Sequence, residues 1–248
     1  MNVRIFLGKK FCNLIVMRNS LATVLTLTDS AVNKTDNYTI IMFLKFGSEI
    51  DIKDLYENGT IYLNPIDRFR KIEDNELRGD NYEGVNRIWN LPSGEFEILS
   101  IRHKVKYINM HLRESYQNVL GNIYSIYCIS SYGFASPNDF FIDKKVERFG
   151  SYFLMVKDNP RFLQLIEDKL NLLGLKFHHG FVRYYDKKSI NGQITLFQKP
   201  NEFEYQKEFR IYVDSASLTP LVLKIGSLKN IAEVYKTEII HDIKLINQ

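Results

Sequence analysis

Short apolar runs separated by turn residues recur along this chain, and they limit its possible folds more than any other feature. Runs of this kind are followed by glycine, Asn-Pro or serine, as in Phe43–Phe46, Thr60–Leu63 and Ile123–Ile129. Their length and their aromatic and β-branched residues predict strands. Because only a few helical patterns lie between them, we predict an α+β fold, a single domain with a mixed, mostly antiparallel β-sheet and a few helices.

One longer stretch has a helical period. It starts at Asn159-Pro160, where proline suits the first turn, and ends at Gly174. Its apolar residues predict a stripe that faces the core, namely Phe162, Leu165, Ile166, Leu170 and Leu173. A shorter helix is predicted over Ile50–Tyr56, stopped by Asn58-Gly59, and further strands are predicted at 194–197 and 238–246.

Residues 1–41 have a different residue pattern from the rest of the chain. They combine a threonine- and leucine-rich run at 22–28 with a polar stretch at 29–37, whereas the alternation of strand and helix patterns starts at Met42. We therefore expect an N-terminal extension, 1–41, attached to an α+β domain, 42–248. The 248 residues of the chain are enough to bury a sizeable core.

Net charge and cysteine content indicate more about the partners and the location of the protein than about its activity. A formal net charge of +4 is compatible with a nucleic-acid partner, but the sequence has no concentrated basic stripe. No apolar run reaches the roughly 18 residues of a membrane-spanning helix, so we expect no membrane partner. The two cysteines, Cys12 and Cys128, have no metal-site spacing and are expected to stay reduced, as in a cytoplasmic protein.

The segment Gln206-Lys207-Glu208 is the strongest candidate for chemistry. It ends a loop and leads at once into an alternating strand pattern, Phe209, Ile211 and Val213. A carboxylate at the mouth of a strand is held rigidly while it faces a cleft. Gln206, two residues earlier, is expected on the same side of the chain as Glu208, because strand side chains repeat with a period of two. Such a pair is able to grip a polar ligand, although an ordinary strand start has the same pattern.

An acidic loop offers a second candidate. Several carboxylates follow one another there, at Glu73, Asp74, Glu76, Asp80 and Glu83. Hard divalent cations take carboxylate oxygens, but the spacing matches no EF-hand, and we favour a solvated loop with Arg70, Arg78 and Arg87 as counter-charges. We expect no metal. Arg78-Gly79-Asp80 has the composition of a ligand-contacting turn.

Hydroxyl and aromatic side chains give a third group of candidates. Ser130-Ser131 directly follows a β-rich run, where hydroxyls either hold a ligand or simply form a turn. Tyr62 belongs to a set of strand tyrosines that can stack on a base or nicotinamide, or else pack in the core. The sequence has neither a GxGxxG nor a P-loop pattern, which disfavours a Rossmann or P-loop nucleotide site.

These elements, in this order, resemble the ADP-ribosyltransferase superfamily, in particular its Arg–Ser–Glu class. The resemblance implies that NAD is the substrate and that Glu208 is the catalytic glutamate, hydrogen-bonded to a ribose hydroxyl. It further implies that Gln206 orients the acceptor and that Ser130, with Ser131 beside it, supports the glutamate. Where the family has arginine or histidine on the first strand, this chain has Lys45, so Arg70 is a substitute only if the fold brings it round.

A second resemblance covers more of the chain, from about Met42 to Ile231. It rests on Gly59-x-Ile-Tyr-Leu-Asn-Pro, on Arg78-Gly-Asp-x-x-Glu-Gly and on Tyr205-Gln-x-Glu-Phe-Arg. These motifs look like those of a widespread bacterial and phage-associated family without an assigned biochemical role.

The expected function is transfer of ADP-ribose from NAD to a macromolecular acceptor, nucleic acid or protein, in bacterial defence or as a toxin. The alternatives are a non-catalytic module that binds nucleic acid or protein and, third, a metal-dependent nuclease that uses the acidic loop.

Overall fold

The computed structural model of the protein describes residues 3–7, 10–13, 39–72, 79–98, 100–115, 120–131 and 140–247. Its strands are β1 (Val3–Leu7), β2 (Lys10–Asn13), β3 (Ile40–Gly47), β4 (Thr60–Pro65), β5 (Val85–Ile98), β6 (His103–Ser115), β7 (Asn122–Ser130), β8 (Tyr152–Val156), β9 (Phe177–Phe181), β10 (Arg183–Tyr185), β11 (Gly192–Gln193), β12 (Gln198–Pro200), β13 (Glu208–Val213), β14 (Leu221–Lys224), β15 (Ala232–Lys236) and β16 (Lys244–Asn247). The α-helices are α1 (Glu49–Asn58), α2 (Ile66–Lys71) and α3 (Asn159–Leu172), and 3₁₀ helices cover Lys144–Phe149, Asn201–Gln206 and Thr237–Asp242.

The main sheet is organised around β7. Its strand order is β14-β4-β7-β3-β8-β15, and β13 pairs with β7 and then with β9. These pairings are all antiparallel, whereas β10 and β12 pair in parallel. The predicted α+β class with a mixed, mostly antiparallel sheet in a single domain is therefore confirmed.

The two faces of the sheet bury different residues, because side chains alternate along each strand. One face packs against α1 and α3, where Phe43 contacts the rings of Phe162 and Phe209. The other face carries Leu44 and Tyr127 and is covered by residues of the 3₁₀ helices at 144–149 and 237–242. On β13, the side chains of Phe209 and Ile211 lie on the first face, so those of Glu208 and Arg210 point to the second.

Local signals account for the helices that the sequence predicted. Ser48 caps α1 by accepting the Asp51 N–H, and Gly59 ends it in the left-handed conformation at a φ of 63°. A side chain on Gly59 would also collide with the carbonyl oxygen of Gly226. In α3 the buried residues are Asn159, Phe162, Leu163, Ile166 and Leu170. Leu165 is partly buried and packs against the core as predicted, whereas Leu173 is 48% exposed, so that member of the predicted stripe was wrong.

The strand predicted at 194–197 is absent, and the strand predicted at 238–246 is confirmed only at its end, since β16 begins at Lys244. Residues 194–197 form a turn before β12, and the backbone N–H of Thr195 donates to the side chain of Gln198. Residues 237–242 form a 3₁₀ helix, in which Thr237 donates to the Gly150 carbonyl and Ile240 is buried. In both places long-range or side-chain hydrogen bonds replace the sheet ladder that the apolar pattern predicted.

Two smaller features complete the fold. β5 and β6 form a long hairpin whose distal residues are largely exposed. β1 pairs with both β2 and β16, and β3 begins at Ile40. The division into an extension, 1–41, and a domain, 42–248, stays a prediction. Among the described residues, none of the helices has the length and apolar character needed to cross a membrane.

Candidate functional site

The site begins where the chain enters β13. The 3₁₀ helix Asn201–Gln206 ends at Lys207, which has left-handed backbone angles of φ 39° and ψ 52°. Lys207 donates its N–H to Glu204 and accepts the Cys128 N–H at 2.8 Å. This single reversed residue turns the chain from the helix into the sheet. Glu208 is therefore the first residue of the strand, as the sequence predicted.

Strand alternation then separates the apolar and charged residues of β13. Phe209 and Ile211 face the core beneath α3, whereas Glu208 and Arg210 face the other side. Glu208 lies opposite Tyr127, and Arg210 lies opposite Ser125 on β7. The two charged residues are side by side on a rigid central part of the sheet.

Glu208 and Arg210 belong to a buried charge network. The Glu208 carboxylate lies 2.9 Å from Lys199 Nζ and 3.3 Å from an Arg210 nitrogen. Arg210 is fully buried and pairs with Glu83 through two contacts of 2.8 and 3.0 Å. It also donates to the Leu196 carbonyl. Buried charges persist only when paired, so this network fixes every member of it in position.

Gln206 joins the same network through Lys199. Its Oε1 accepts from Lys199 Nζ at 2.8 Å, and the side chain is buried. Gln206 and Glu208 thus meet at one ammonium group, as expected of neighbours on one side of the chain. The reason given by the sequence was wrong, however, because Gln206 lies in a 3₁₀ helix and not on the strand.

The network keeps Glu208 ionised. Burial raises the pKa of a carboxyl, but Arg210 and then Lys199 outweigh that effect, and the pKa of Glu208 is lowered to about 2. The Ser125 side chain, which also bonds to the carboxylate, contributes in the same direction. A permanently negative group therefore stands at the start of β13.

The pKa of Asp80 is shifted in the opposite direction from that of Glu208. It is 2% exposed and accepts the Tyr82 N–H at 2.8 Å. Burial, followed by repulsion from Glu83, raises the pKa of Asp80 to about 6 despite the nearby Lys199 and Arg210. The network therefore takes up one proton just below neutral pH.

A cleft of about 390 Å³ opens beside Glu208. Its wall includes Ser130 and Tyr184, and the Tyr184 hydroxyl accepts the Glu208 N–H at 2.9 Å. The rest of the lining is Cys128, Phe141, Asp143, Lys145, Phe181, Val182, Asn201, Glu202, Glu204, Tyr205 and Lys207. The cleft thus combines a fixed anion, hydroxyl groups and aromatic rings.

Two lysines of the cleft lie over aromatic rings. Lys145 Nζ is 4.9 Å from the ring centre of Tyr205, and Lys207 Nζ is 5.1 Å from that of Phe141. Desolvation lowers the pKa of Lys207. Pairs of this kind provide both a positive charge and a flat apolar surface, which suits a phosphate-bearing ligand with an aromatic base.

The other predicted site residues lie elsewhere. Ser131 accepts the Thr39 N–H at 2.8 Å and is exposed outside the cleft. Tyr62 is half exposed on β4 opposite Val222, and Arg70 is on α2. Neither of these two lines the cleft. Arg78 lies outside the described residues.

Lys45 does not line the cleft beside Glu208. Its Nζ donates to the Ser125 carbonyl at 2.7 Å and lies 4.3 Å from the ring centre of Tyr124, which belongs to the core beneath α1 and α3. Ser125 is between the β7 residues that pair with β3 and those that pair with β4. Lys45 therefore contacts the point where the two strands part.

The acidic loop is divided between described and undescribed residues. Glu73, Asp74 and Glu76 lie outside the described part, while Asp80 and Glu83 are directed into the network around Arg210. Within the described ranges, His, Cys, Asp and Glu side chains form no group of three suited to a metal ion.

Comparison with protein-family models, with curated proteins and with solved structures found no match for this chain. Its function therefore has to be argued from the site itself.

Proposed function

We propose that this protein is an ADP-ribosyltransferase that transfers ADP-ribose from NAD to a macromolecular acceptor, with Glu208 as its catalytic residue. The observation that carries the proposal is the rigid, ionised carboxylate of Glu208 at the wall of a cleft that also presents the hydroxyls of Ser130 and Tyr184. Glycosyl transfer from NAD develops positive charge on the ribose, and a fixed negative charge beside it stabilises the transition state.

The carboxylate suits the charge that develops in this reaction. As the bond between nicotinamide and ribose C1′ breaks, positive charge builds up on the ribose, and a buried anion stabilises it more strongly than water does. Glu208 Oε2 takes the 2.9 Å contact from Lys199, whereas Oε1 meets Arg210 at 3.4 Å. A carboxylate has about four acceptor positions, so beside its contacts with Lys199, Arg210 and Ser125 it retains one for a ribose hydroxyl.

The cleft also offers partners for the rest of NAD. Lys145 and Lys207 are placed to neutralise a diphosphate, and Phe141 and Tyr205 are placed to stack on a ring. Lys145 and Lys207 therefore have the cofactor-binding role that the sequence had assigned to Lys45. Gln206 acts as a positioning residue, because it holds Lys199 against Glu208.

The setting follows from the chemistry. ADP-ribose added to a nucleic acid or protein blocks its function, so we place the activity in bacterial defence or toxicity. The second candidate, a non-catalytic module, would use the same cleft to bind a nucleotide without breaking its glycosidic bond.

Incubation with NAD labelled in its adenosine half, together with cell lysate, tests the proposal. We expect label to enter either the nucleic-acid or the protein fraction, with equal release of nicotinamide. Binding of NAD without release of nicotinamide would favour the non-catalytic module, and neither binding nor release would refute the proposal.

A further inference from the structure

Three side chains at the base of the β5–β6 hairpin form a second polar relay, away from the residues that line the cleft. Tyr82 Oη lies 3.1 Å from His111 Nε2, and His111 Nδ1 lies 2.7 Å from Asn90 Oδ1. Tyr82 belongs to the segment before β5, Asn90 to β5 and His111 to β6. Asn90 and His111 are direct neighbours across the hairpin.

The hydrogen bonds of Asn90 fix the tautomer of His111. Asn90 Nδ2 donates to the carbonyls of Lys187 and Ile190 at 2.8 and 2.7 Å, so Oδ1 is the atom that faces the imidazole. A carbonyl oxygen only accepts, and His111 Nδ1 therefore carries the proton. Nε2 is left with a lone pair, directed at the hydroxyl of Tyr82.

Two cations lie against the ring of Tyr82. The guanidinium of Arg113 and the ammonium of Lys187 are each 4.7 Å from its centre. Burial, then Arg113 and Lys187, lower the pKa of His111, which keeps the imidazole neutral at pH 7. Lys187 also pairs with Glu202 at 2.7 Å, and Arg113 makes a long contact with the Asn81 carbonyl. Arg113 is exposed and retains donors for an incoming anion.

We propose that Tyr82, His111 and Asn90 form a second reactive site, in which His111 activates Tyr82 as a nucleophile toward a phosphodiester bound by Arg113. Tyr82 is the nucleophile, His111 is the base and Asn90 orients the base, and each lies within hydrogen-bonding distance of the next. The cations stabilise the phenolate as it forms and select an anionic electrophile.

The step is a transesterification. The phenolic oxygen of Tyr82 forms a bond to phosphorus, and the bond from phosphorus to the leaving oxygen breaks with its electron pair. The phenolic proton passes to His111 Nε2 and is then available to the leaving alcohol. The product is a phosphodiester between Tyr82 and the substrate. The step needs no oxidant, reductant or other reactant.

The test uses the whole chain and the p-nitrophenyl ester of thymidine 5′-monophosphate. We expect release of p-nitrophenolate together with a covalent thymidylate adduct that peptide mapping places on Tyr82. Tyr82→Phe should abolish the adduct. His111→Gln should slow its formation by about a hundredfold or more, the usual contribution of a general base. Tyr107→Phe, on the same hairpin but outside the relay, should behave as wild type.

The outcomes distinguish activation of Tyr82 by His111 from a purely structural role of the relay in the hairpin. If folded wild-type protein forms no adduct on Tyr82, or labels Tyr107 as readily, the proposal is wrong. The same holds if His111→Gln lowers the melting temperature but leaves the rate of adduct formation unchanged. Should His111→Gln fail to fold, the wild-type preference for Tyr82 over Tyr107 decides the question.

Discussion

Arg210 and Glu83 lie 127 residues apart in the sequence but are joined by two parallel hydrogen bonds of 2.8 and 3.0 Å. Their side chains are 0% and 3% exposed. The pair connects the segment before β5 to the centre of the main sheet, and Arg210 in turn contacts Glu208. The position of the candidate catalytic glutamate therefore depends on a contact that no local sequence pattern reveals.

Arg210→Met should strongly destabilise the protein, since it leaves the buried carboxylates of Glu83 and Glu208 with one cation fewer. We expect a loss of about 3–5 kcal/mol in the free energy of unfolding, as for other broken buried ion pairs. Urea denaturation measures this loss. Lys53→Met, which removes the exposed pair with Glu49, is the matched control and should leave the midpoint unchanged. Equal midpoints for the two variants would show that the network is not structural.

Local patterns predicted those parts of the fold whose signals are local. Short apolar runs predicted β3 and β7, alternating apolar residues predicted β13, and Gly59 and Pro160 marked the end of α1 and the start of α3. The apolar residues at 194–197 and at 238–242 misled, because hydrogen bonds to the Gln198 side chain and to the Gly150 carbonyl hold those segments in a turn and a 3₁₀ helix. Periodicity carries no information about such contacts.

The site was predictable only in part for the same reason. Glu208 stands out at a strand entrance, and its spacing of two from Arg210 was a readable sign that both share a face. Glu83 and Asp80 join the network only through the tertiary fold, and Lys199 approaches Glu208 across a turn and a 3₁₀ helix. The sequence therefore indicated the glutamate but not the cations that fix its charge.

Asp80 should make stability depend on pH between about 4 and 6. Its pKa is about 6 in the folded protein and about 3.9 in an unfolded chain. The folded state therefore binds the proton more tightly, and stability falls as the pH rises through this window. Asp80→Asn keeps the oxygen that accepts the Tyr82 N–H and removes the charge.

We expect Asp80→Asn to be more stable than wild type at pH 7 by about 2–3 kcal/mol, from two pKa units at roughly 1.4 kcal/mol each. At pH 4 the two proteins should unfold at nearly the same urea concentration. A constant difference between them at both pH values would contradict the assignment.

Lys207 stores backbone strain beside the cleft. Its φ of 39° is in the left-handed region, which side chains with a Cβ disfavour. Lys207→Gly should therefore be more stable than Lys207→Ala by roughly 1 kcal/mol, although both lose the same ammonium group. Thermal unfolding of the two variants measures the difference. If alanine is the more stable of the two, the strain is absent.

The face of α3 that packs on the sheet is tested by two neighbouring leucines. Leu170 is fully buried, whereas Leu172 is 78% exposed. Leu170→Ala should cost about 2–5 kcal/mol, the usual range for a buried leucine, and Leu172→Ala should change the midpoint of urea unfolding very little. Similar losses of stability in both variants would mean that α3 packs on the sheet with a different face.

The central claim is that the charge of Glu208 acts on NAD, and Glu208→Gln tests it most directly. The variant keeps the shape of the side chain but weakens its pairing with Lys199 and Arg210, so we also expect a lower melting temperature. Leu170→Ala is the control for destabilisation, since it loosens the fold without touching the cleft.

The measurement is the rate of nicotinamide release from NAD, at a temperature where all three proteins are folded. We predict that Glu208→Gln releases nicotinamide about a hundredfold more slowly or worse, the effect of losing one strong electrostatic contact in the transition state, while Leu170→Ala keeps the wild-type rate. A folded Glu208→Gln protein that releases nicotinamide at the wild-type rate would contradict the account.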